Sequence, residues 1–410
     1  MMTKKRKIGI GLVGYSMMGK AHSNAYRAAP FYFDLDVTPV LDTIVGRNLE
    51  KVKKAARKMG WGKYSTNWKE LIDNPDIDVI DISSPNNTHK EIAIQAAEAG
   101  KHVFCEKPLS ITLKDSKEML DAVLQNNVCH MICHNYRFAP AVQYAKQLID
   151  EGRLGKIYHI RATFLQDWLM DPEIPLTWRL QKDISGSGTL GDLGIHIIDL
   201  ARFLVGEFKE VVGMMDTFIK KRPLGTMTDT LQLETKSDEY GEVTVDDAAA
   251  FLAKFENGAM GLFEVSRFSA GNRAGNRFEI NGEYGSLRWD MENMNNLEVY
   301  FTEDEEGLQG FRTINCTEHI HPFAKSYWPA AHILGYEHTF VNIIKTFLDG
   351  LSKGESPQPN FKDGVMNQAV VEAVEVSTKR RTWVKVDEIL MKYNIDKEDL
   401  IHRDKYEVEN

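Results

Sequence analysis

The glycine-rich stretch GIGLVGYSMMGKAH, residues 9–22, constrains the fold of this chain more than any other feature. A G-x-G-x-x-G turn starts at Gly9, and an imperfect version of it, with serine in the middle, starts at Gly14. The first register leaves charged residues and Ile8 as the preceding strand, although a buried parallel strand should be an apolar run. The later register is therefore favoured, and it places Gly9 and Gly11 inside the strand.

This register divides the stretch into a strand, a turn and a helix. The strand covers residues 8–13, the turn covers 14–19, and the helix runs over 20–29 until Pro30 ends it. Ser16 replaces the middle glycine, and its small side chain still permits a close approach of phosphate. We expect a dinucleotide's pyrophosphate at the start of the helix, with a purely structural turn as the alternative.

Strands and helices alternate from this turn to about residue 134. Further strands are predicted over 38–45, 78–83, 101–105 and 128–134, and helices over 49–58, 88–99 and 112–125. This alternation is typical of a doubly wound α/β fold with a parallel sheet. Residues 1–134 are therefore predicted to form a Rossmann domain that binds a dinucleotide.

The pattern changes after a helix predicted over 140–151. Several strand-like runs follow without helices between them, and Asn257-Gly258 is a strong hairpin signal. Helices are predicted over 190–205, 332–348 and 365–379. Residues 135–386 should thus form an α+β substrate-binding domain with a mostly antiparallel sheet, followed by a charged, peripheral tail over 387–410.

Composition excludes several classes of partner. The formal net charge of −9 argues against nucleic acid, which would require a basic face. No apolar run approaches the ~18 residues of a membrane span. The basic start is followed by too few apolar residues for a signal peptide, so a cytoplasmic protein with a small-molecule substrate is expected.

The stretch VCHMICH, residues 128–134, resembles a metal site in composition. It is expected to be a strand, in which residues four apart lie ~13 Å from each other. Cys129 and Cys133 would then be too distant to share one zinc ion, whose ligands lie ~2.3 Å from the metal. No metal site is therefore predicted.

Two motifs carry groups suited to acid–base chemistry. Lys107, in the turn CEKPL, follows a parallel strand at the edge where open α/β sheets bind ligands, although it could be an ordinary exposed lysine. Asp192 and His196 are four apart on a predicted helix and share one face. A carboxylate there would orient the imidazole and raise its proton affinity, as a general acid–base pair requires; a helix cap with a surface ion pair is the alternative.

The sequence is compatible with both NAD and NADP. NAD-selective folds place an acid at the end of the second strand, to bind the ribose hydroxyls. This chain has Gly46, Arg47 and Asn48 there. Arg47 could stack on adenine or bind a 2′-phosphate. The loop over residues 83–89 follows another parallel strand and could contact the cofactor's ribose.

Together these motifs resemble the Gfo/Idh/MocA family of oxidoreductases. The resemblance is carried by the turn at residues 14–19, by Glu106-Lys107-Pro108 and by the Asp192/His196 pair, and it covers about residues 6–386. Residues 166–192 and the stretch GYEHTF at 335–340 are similar to a subgroup that includes levoglucosan dehydrogenase and glycoside 3-dehydrogenases. The family resemblance implies an open-faced sheet in the second domain and a homodimer or homotetramer.

The resemblance also implies an activity and residue roles. The activity is reversible oxidation of a carbinol of a sugar, glycoside or cyclitol by NAD or NADP, with C3 of a pyranoside as a candidate carbon. Lys107 should contact cofactor and reacting hydroxyl, His196 should be the acid–base, and Asp192 should position the substrate or His196. Glu106 should lie near the nicotinamide ribose.

The candidate residues fall into three groups. The catalytic candidates are Lys107, Asp192 and His196. The cofactor-binding candidates are Gly14, Tyr15, Ser16, Met17, Met18, Gly19, Gly46, Arg47, Asn48, Ser84, Pro85, Asn86, His89, Glu106 and Lys107. The substrate-binding candidates are Lys107, Tyr136, Arg137, Gln166, Trp168, Trp178, Arg179, Asp192 and His196.

Two other functions are compatible with the same motifs. Transient oxidation can drive elimination or glycoside cleavage without net redox change, as in a lyase or glycosidase that retains its NAD. A Rossmann domain can also bind a nucleotide as a sensor without catalysis. The joint presence of Lys107, Asp192 and His196 disfavours the sensor.

Overall fold

The computed structural model describes residues 5–227 and 233–401. Its first part is a six-stranded parallel sheet in the order β3-β2-β1-β4-β5-β6, which confirms the predicted Rossmann topology. Its elements are β1 Arg6–Val13, α1 Met17–Tyr32, β2 Val37–Val45, α2 Leu49–Met59, β3 Lys63–Ser65, α3 Lys69–Asp73, β4 Val79–Ile82, α4 His89–Glu98, β5 His102–Glu106, α5 Leu113–Gln125 and β6 His130–Cys133.

Strand β1 confirms the later register of the glycine stretch. Gly9 and Gly11 lie inside the strand, and a Cβ added at Gly9 would lie 1.8 Å from the carbonyl oxygen of Asp76. Gly14 begins the turn with φ +115°, a conformation that glycine adopts at little cost. The glycines of β1 therefore serve close packing, and the turn begins where the apolar run ends.

Helix α1 differs from its prediction at both ends. It begins at Met17, so the second half of the predicted turn is its first turn, and it continues to Tyr32 with Pro30 inside it. The prediction that Pro30 ends the helix is wrong. Proline cannot donate an N–H to the helix, but three residues beyond it the N–H of Phe33 still donates to the carbonyl of Ala29 at 2.9 Å.

The second part is built on a nine-stranded sheet in the order β16-β15-β14-β13-β7-β12-β11-β8-β17. Only the β7–β12 pair is parallel, so the sheet is mixed and mostly antiparallel, as predicted. Its elements, with a separate β9–β10 hairpin, are α6 Pro140–Asp150, β7 Ile157–Leu165, α7 Lys182–Ser185, α8 Ile195–Leu204, β8 Phe208–Asp216, β9 Lys221–Met227, β10 Leu233–Glu242, β11 Ala248–Phe255, β12 Met260–Ser266, β13 Gly275–Gly282, β14 Gly285–Asp290, β15 Asn296–Phe301, β16 Arg312–Asn315, α9 Tyr336–Lys353, α10 Phe361–Arg380, β17 Val384–Lys385 and α11 Val386–Lys392.

Helix α9 returns from the second part of the chain to the first sheet. It begins at Tyr336, four residues later than predicted. Its buried face, including Phe340 and Ile343, joins Ile8 and Ile10 of β1 in one hydrophobic cluster. A helix that the sequence assigned to the second domain thus covers one face of the Rossmann sheet, beside α1.

The segment after residue 386 is packed rather than peripheral. Ile389 and Leu390 of α11 are buried in the main hydrophobic cluster, and so is Leu400. The prediction of a peripheral tail is wrong up to Ile401, because apolar residues are spaced through this charged stretch. Residues 402–410 of the predicted tail lie outside the described residues. Across 5–227 and 233–401, no helix combines the length and apolarity needed to cross a bilayer.

Candidate active site

The start of α1 forms a site suited to a pyrophosphate. Helical N–H groups of a first turn have no partner within the helix, and here they belong to Met17, Met18 and Gly19. Ser16 precedes them without a side-chain capping bond, and the first turn holds no acidic residue. A Cβ at Gly19 would lie 2.2 Å from the carbonyl oxygen of Gly14, so only glycine allows this tight turn. These features fit the phosphates of a dinucleotide.

The end of β2 forms the adjoining rim. A Cβ at Gly46 would lie 2.0 Å from Cε1 of Tyr15, so the tyrosine ring rests directly on this glycine. Arg47 and Asn48 are exposed, and Asn48 accepts the N–H of Lys51 at 3.0 Å as the cap of α2. The rim thus offers an aromatic ring and an arginine, and no carboxylate.

The loop after β4 connects the two domains beside this rim. Ser84 and Thr88 hydroxyls lie 2.6 Å apart, beside Pro85, and Asn86 Nδ2 donates to the carbonyl of Ser185 at 3.0 Å. His89 is fully buried, and its ring nitrogens lie 2.9 Å from the carbonyl of Ser84 and 3.0 Å from that of Pro108. The predicted contact of the His89 side chain with cofactor is therefore corrected: it ties the loop to the turn.

The turn after β5 carries Lys107 into the cleft. The Lys107–Pro108 peptide bond is cis. Nζ of Lys107 donates to Asp192 Oδ1 at 2.7 Å and to the main-chain carbonyl of the same residue at 3.0 Å. The structure thus brings together two of the three predicted catalytic residues, which are 85 positions apart in the chain.

Asp192 lies on a five-residue π-helical turn, Leu190–Gly194, that continues into α8. A π turn displaces main-chain groups from the regular helical pattern and is frequent at functional sites. Asp246 stabilises its start, since its carboxylate accepts the N–H groups of Gly188 at 2.8 Å and Leu190 at 2.7 Å. Sequence reasoning missed Asp246, because no local signal links it to a turn 58 residues away.

A second cation also holds Asp192. Arg267 Nη2 donates to Asp192 Oδ2 at 2.6 Å, and its guanidinium lies 5.4 Å from the ring centre of Trp168. Burial alone would raise the pKa of Asp192, but the charges of Lys107, Arg267 and Arg179 outweigh it and hold the pKa well below its usual range. Sequence reasoning missed Arg267 because a lone arginine at a strand end carries no motif.

His196 lies one turn further along, in a more apolar wall. It is only 7% exposed, and its ring is 4.7 Å from that of Tyr136. Burial, followed by the charge of Lys107 and by His134, lowers the pKa of His196 well below its usual value. Asp192 does raise the proton affinity of His196, as expected, but burial and Lys107 outweigh the carboxylate, so the net effect is a lowered pKa. At neutral pH the imidazole is therefore uncharged.

Arg137 does not face the cleft, although it directly follows Tyr136. Its Nη2 and Nε donate to Asp199 at 2.6 and 2.7 Å, and Nη2 also donates to Asp363 at 3.1 Å. The side chain is 3% exposed. The predicted substrate contact of Arg137 is therefore corrected to a buried ion pair that joins the turn after β6 to α8 and α10.

Two tryptophans and their neighbours lie on the loops beyond β7. Trp168 Nε1 donates to Gln166 Oε1 at 3.0 Å, and the Arg179 guanidinium lies 4.5 Å from the ring centre of Trp178. All four side chains are half-buried. The effect of Arg179 on the pKa of Asp192 places its charge near the cleft, so these four residues stay predictions for the substrate wall.

His134 is a further residue that the sequence placed in a rejected metal motif. It is buried beside His196, with ring centres 6.2 Å apart. Asn367 Nδ2 donates to its Nε2 at 3.0 Å. Burial lowers the pKa of His134 to about 4, so it adds no charge next to His196 at neutral pH.

Comparison with known protein families supports a dinucleotide-binding domain followed by a second domain. The family described as "Oxidoreductase family, NAD-binding Rossmann fold" matches residues 8–134, and "GFO/IDH/MocA C-terminal domain" matches residues 142–288. The chain belongs to the Gfo/Idh/MocA family of oxidoreductases. The first domain is its NAD-binding domain, which confirms the predicted cofactor class.

Several members of the family are similar along nearly the whole chain. Levoglucosan dehydrogenase of Pseudarthrobacter phenanthrenivorans is 42% identical over 94% of this chain and 99% of its own length. Myo-inositol 2-dehydrogenase of Thermotoga maritima is 27% identical over 93% of this chain and 99% of its own. A structure of levoglucosan dehydrogenase with NADH and levoglucosan has a TM-score of 0.88, at 42% identity, and covers 93% of this chain and 100% of that one.

Proposed function

We propose that the protein oxidises a ring carbinol of a pyranose sugar, a glycoside or a cyclitol, with NAD as hydride acceptor. The observation that supports this most is the 2.7 Å contact between Lys107 Nζ and Asp192 Oδ1, one turn before an uncharged His196. The 42% identity to levoglucosan dehydrogenase makes levoglucosan the first substrate to test, and C3 of the pyranose ring is the candidate carbon.

The side chains of the cleft divide the proton chemistry between them. When bound, the nicotinamide ring supplies the hydride acceptor. His196, uncharged at neutral pH because its pKa is lowered, takes the hydroxyl proton as the neighbouring carbon–hydrogen bond breaks. Lys107 places a positive charge at the same oxygen, where negative charge develops. In the reverse direction the imidazolium returns the proton.

Asp192 positions Lys107 in this scheme rather than accepting a proton. Its pKa is held well below its usual range, so it stays ionised over the working pH range. One oxygen holds Lys107 and the other holds Arg267. The lysine is thereby fixed in one orientation before the substrate arrives, which lowers the entropy lost on reaching the reacting geometry.

The half-buried tryptophans supply a wall for the sugar ring. The faces of Trp168 and Trp178 suit the apolar C–H face of a pyranose. Gln166 and Arg179 add polar groups for ring hydroxyls, and Tyr136 closes the wall beside His196. This arrangement favours a neutral cyclic polyol over an open-chain or strongly charged substrate.

The test is the formation of NADH with a panel of levoglucosan, methyl pyranosides, free aldoses and inositols. We expect turnover with at least one cyclic polyol and a keto product at a ring carbon. Substrate loss without net NADH, with enzyme-bound NAD, would instead support a lyase or glycosidase that uses transient oxidation. Binding of NADH with no turnover in the whole panel would support the sensor.

The rim at the end of β2 supports some use of NADP. Arg47 is exposed and residues 46–48, directly after β2, include no carboxylate, so a 2′-phosphate there meets a positive charge instead of a negative one. We propose NAD as the main cofactor and NADP as a usable second. The ratio of kcat/KM for the two cofactors, before and after Arg47→Ala, measures this contribution.

The open face of the nine-stranded sheet supports a homo-oligomer, a dimer or a tetramer. Met214, Leu252, Met260 and Leu262 lie on this face of β8, β11 and β12 and are 43–68% exposed. Contiguous exposed apolar residues of this kind mark interaction surfaces. Light scattering on the purified protein should give a mass of two or four chains, and a monomer would contradict this assembly.

A further inference from the structure

A buried hydrogen-bonded bridge lies beneath the turn that carries Lys107. His22 of α1 is fully buried, and Nδ1 donates to Asp81 Oδ1 at 2.8 Å. Nε2 donates to Glu106 Oε1 at 3.0 Å. Asp81 lies near the end of β4 and Glu106 ends β5, so one imidazole joins the helix of the phosphate turn to two neighbouring strand ends.

The geometry of the bridge favours a charged imidazole, while burial raises the pKa of Asp81. Both ring nitrogens face carboxylate oxygens, which only accept hydrogen bonds when ionised, so both nitrogens must carry protons. Burial alone would lower the pKa of His22. The carboxylates of Asp81 and Glu106 outweigh burial and raise that pKa well above its usual value.

Glu106 connects this bridge to the main chain of Lys107. Its second oxygen, Oε2, accepts the main-chain N–H of Lys107 at 3.0 Å. The carboxylate therefore binds His22 through one oxygen and the first peptide of the turn through the other. The backbone of Lys107 is thereby fixed at the point from which its side chain reaches Asp192.

We propose that His22 is a positioning residue, which sets the Glu106–Lys107 turn by bridging Asp81 and Glu106. His22 is fully buried, and it acts through Glu106 on the placement of the lysine. The catalytic effect of His22 depends on the proposed sugar oxidation, whereas the existence of the bridge does not.

Two of the bridging residues also belong to a group that could hold a metal ion. His22, Glu106 and Cys133 each offer one ligand atom, and these atoms lie within 4.8 Å of one another. A doubly protonated imidazole has no lone pair for a metal, and burial raises the pKa of the Cys133 thiol, so that it stays protonated. The hydrogen-bonded bridge is therefore favoured over a metal site.

The first test replaces His22 by asparagine and compares kcat with cofactor binding. A misplacement of the turn by about 1 Å should lower kcat on the order of 10²-fold. The Kd for NADH should change less than about threefold, because the phosphate turn at the start of α1 is kept. Phe347→Leu is the matched control: the ring of Phe347 packs on that of Phe104 of β5, with centres 5.2 Å apart, and its side chain takes no part in the hydrogen bonds of the bridge.

The second readout is the pH dependence of kcat in His22→Asn. With the imidazolium gone, burial dominates the pKa of Glu106 and raises it, so the variant should show a loss of activity from Glu106 on the acidic side, in addition to the fall that His196 causes in both proteins. The titratable groups that face Glu106 are His22, Asp81, His89, Cys105, Cys133, Tyr136 and Tyr336, together with Lys107 on its own turn.

The third readout needs no substrate. Because the folded-state pKa of His22 is raised, its protonation stabilises the fold fully below pH 6.5 and less as pH rises toward the raised value. The difference in melting temperature between wild type and His22→Asn should therefore narrow as pH rises above 6.5. If no sugar is oxidised by the wild type, the proposed function is wrong, and this measurement still decides whether the bridge exists.

Three outcomes would overturn the proposal. One is a His22→Asn protein whose kcat falls no more than that of Phe347→Leu at equal loss of melting temperature, since His22 would then be an ordinary core residue. Another is a melting difference that does not vary with pH. The last is a stoichiometric metal in the purified protein that is lost, together with activity, in Cys133→Ala. If the bridge holds no metal, this variant should instead keep kcat within about threefold of the wild-type value.

Discussion

Two clusters of ion pairs lie close together at the junction of the domains, and they differ in what they face. The cleft cluster consists of Lys107, Asp192 and Arg267, and the side chains of Lys107 and Asp192 are 14% and 32% exposed. The buried cluster consists of Arg137, Asp199, Asp363 and Arg202, whose side chains are 2–4% exposed. Both use short charge-assisted hydrogen bonds, so chemistry alone does not separate them.

The difference shows how access to the cleft assigns a role to an ion pair. The cleft cluster is partly exposed, so a hydroxyl of the substrate can replace one of its hydrogen-bond partners or bind beside them. In the buried cluster, Asn367 also donates to Asp199 at 2.9 Å and Arg202 donates to the Asp363 carbonyl at 3.2 Å. Its members hold one another and leave no place for a sugar, so the cleft cluster should govern catalysis and the buried cluster stability.

The largest expected effect comes from removing the cation of the cleft cluster. Lys107→Ala should lower kcat by about 10³-fold, since it removes the positive charge at the reacting oxygen. The measurement is the initial rate of NADH formation at saturating sugar. Lys90→Ala is the control, because Lys90 is paired with Asp115 and Glu118 on the outside of the first domain. A loss of less than tenfold would place the critical charge elsewhere.

The next largest effect belongs to the buried cluster and concerns stability. Arg137→Met should lower the free energy of unfolding by about 3 kcal/mol, because it leaves Asp199 buried with one cation fewer. Chemical denaturation measures this loss, and the KM for sugar should stay within about twofold below the unfolding range. An unchanged unfolding midpoint with a tenfold higher KM would show that Arg137 meets the substrate after all.

The acid–base assignment predicts a smaller loss and a pH signature. His196→Asn should lower kcat by about 10²-fold. Oxidation needs the unprotonated imidazole, and the pKa of His196 is lowered, so the wild-type kcat should be flat near neutrality and fall only well below pH 6.5. That acidic fall should vanish in the variant. A wild-type profile that falls between about pH 7 and pH 6 would contradict an uncharged His196.

The smallest expected effect tests whether Asp192 only positions Lys107. Asp192→Asn keeps an oxygen for Lys107 and removes the negative charge, so kcat should fall by about tenfold. The pH profile set by His196 should keep its shape. A loss as large as that of Lys107→Ala, together with a changed acidic limb, would make Asp192 the proton acceptor.

Much of this arrangement could be predicted from the sequence because it rests on local patterns. The apolar run before Gly14 set the register of the phosphate turn, and the alternation of strands and helices set the topology of the first sheet. The position of Lys107 after β5 placed it at the carboxyl edge, where parallel sheets bind ligands. Each of these predictions uses only the order of residues along the chain and needs no contact between distant segments.

The rest depended on contacts between distant segments, which one sequence does not display. Arg137 was predicted to face the cleft because it closely follows the last predicted strand of the parallel sheet, and only its partners on α8 and α10 reveal its burial. Arg267 and Asp246 carry no motif, and their roles depend on the packing of two distant segments, the one after β12 and the one before β11, against the π turn. The lowered pKa of His196 likewise arises from burial and from Lys107, neither of which is local to its helix.

The most direct test of the central claim follows the hydride itself. Levoglucosan that carries deuterium on C3 is incubated with wild-type protein and NAD, and the reduced cofactor is examined by mass spectrometry and NMR. The account predicts NADH with deuterium on C4 of the nicotinamide ring, together with a 3-keto sugar. Bound NAD that gains no deuterium while the sugar remains unoxidised would contradict it.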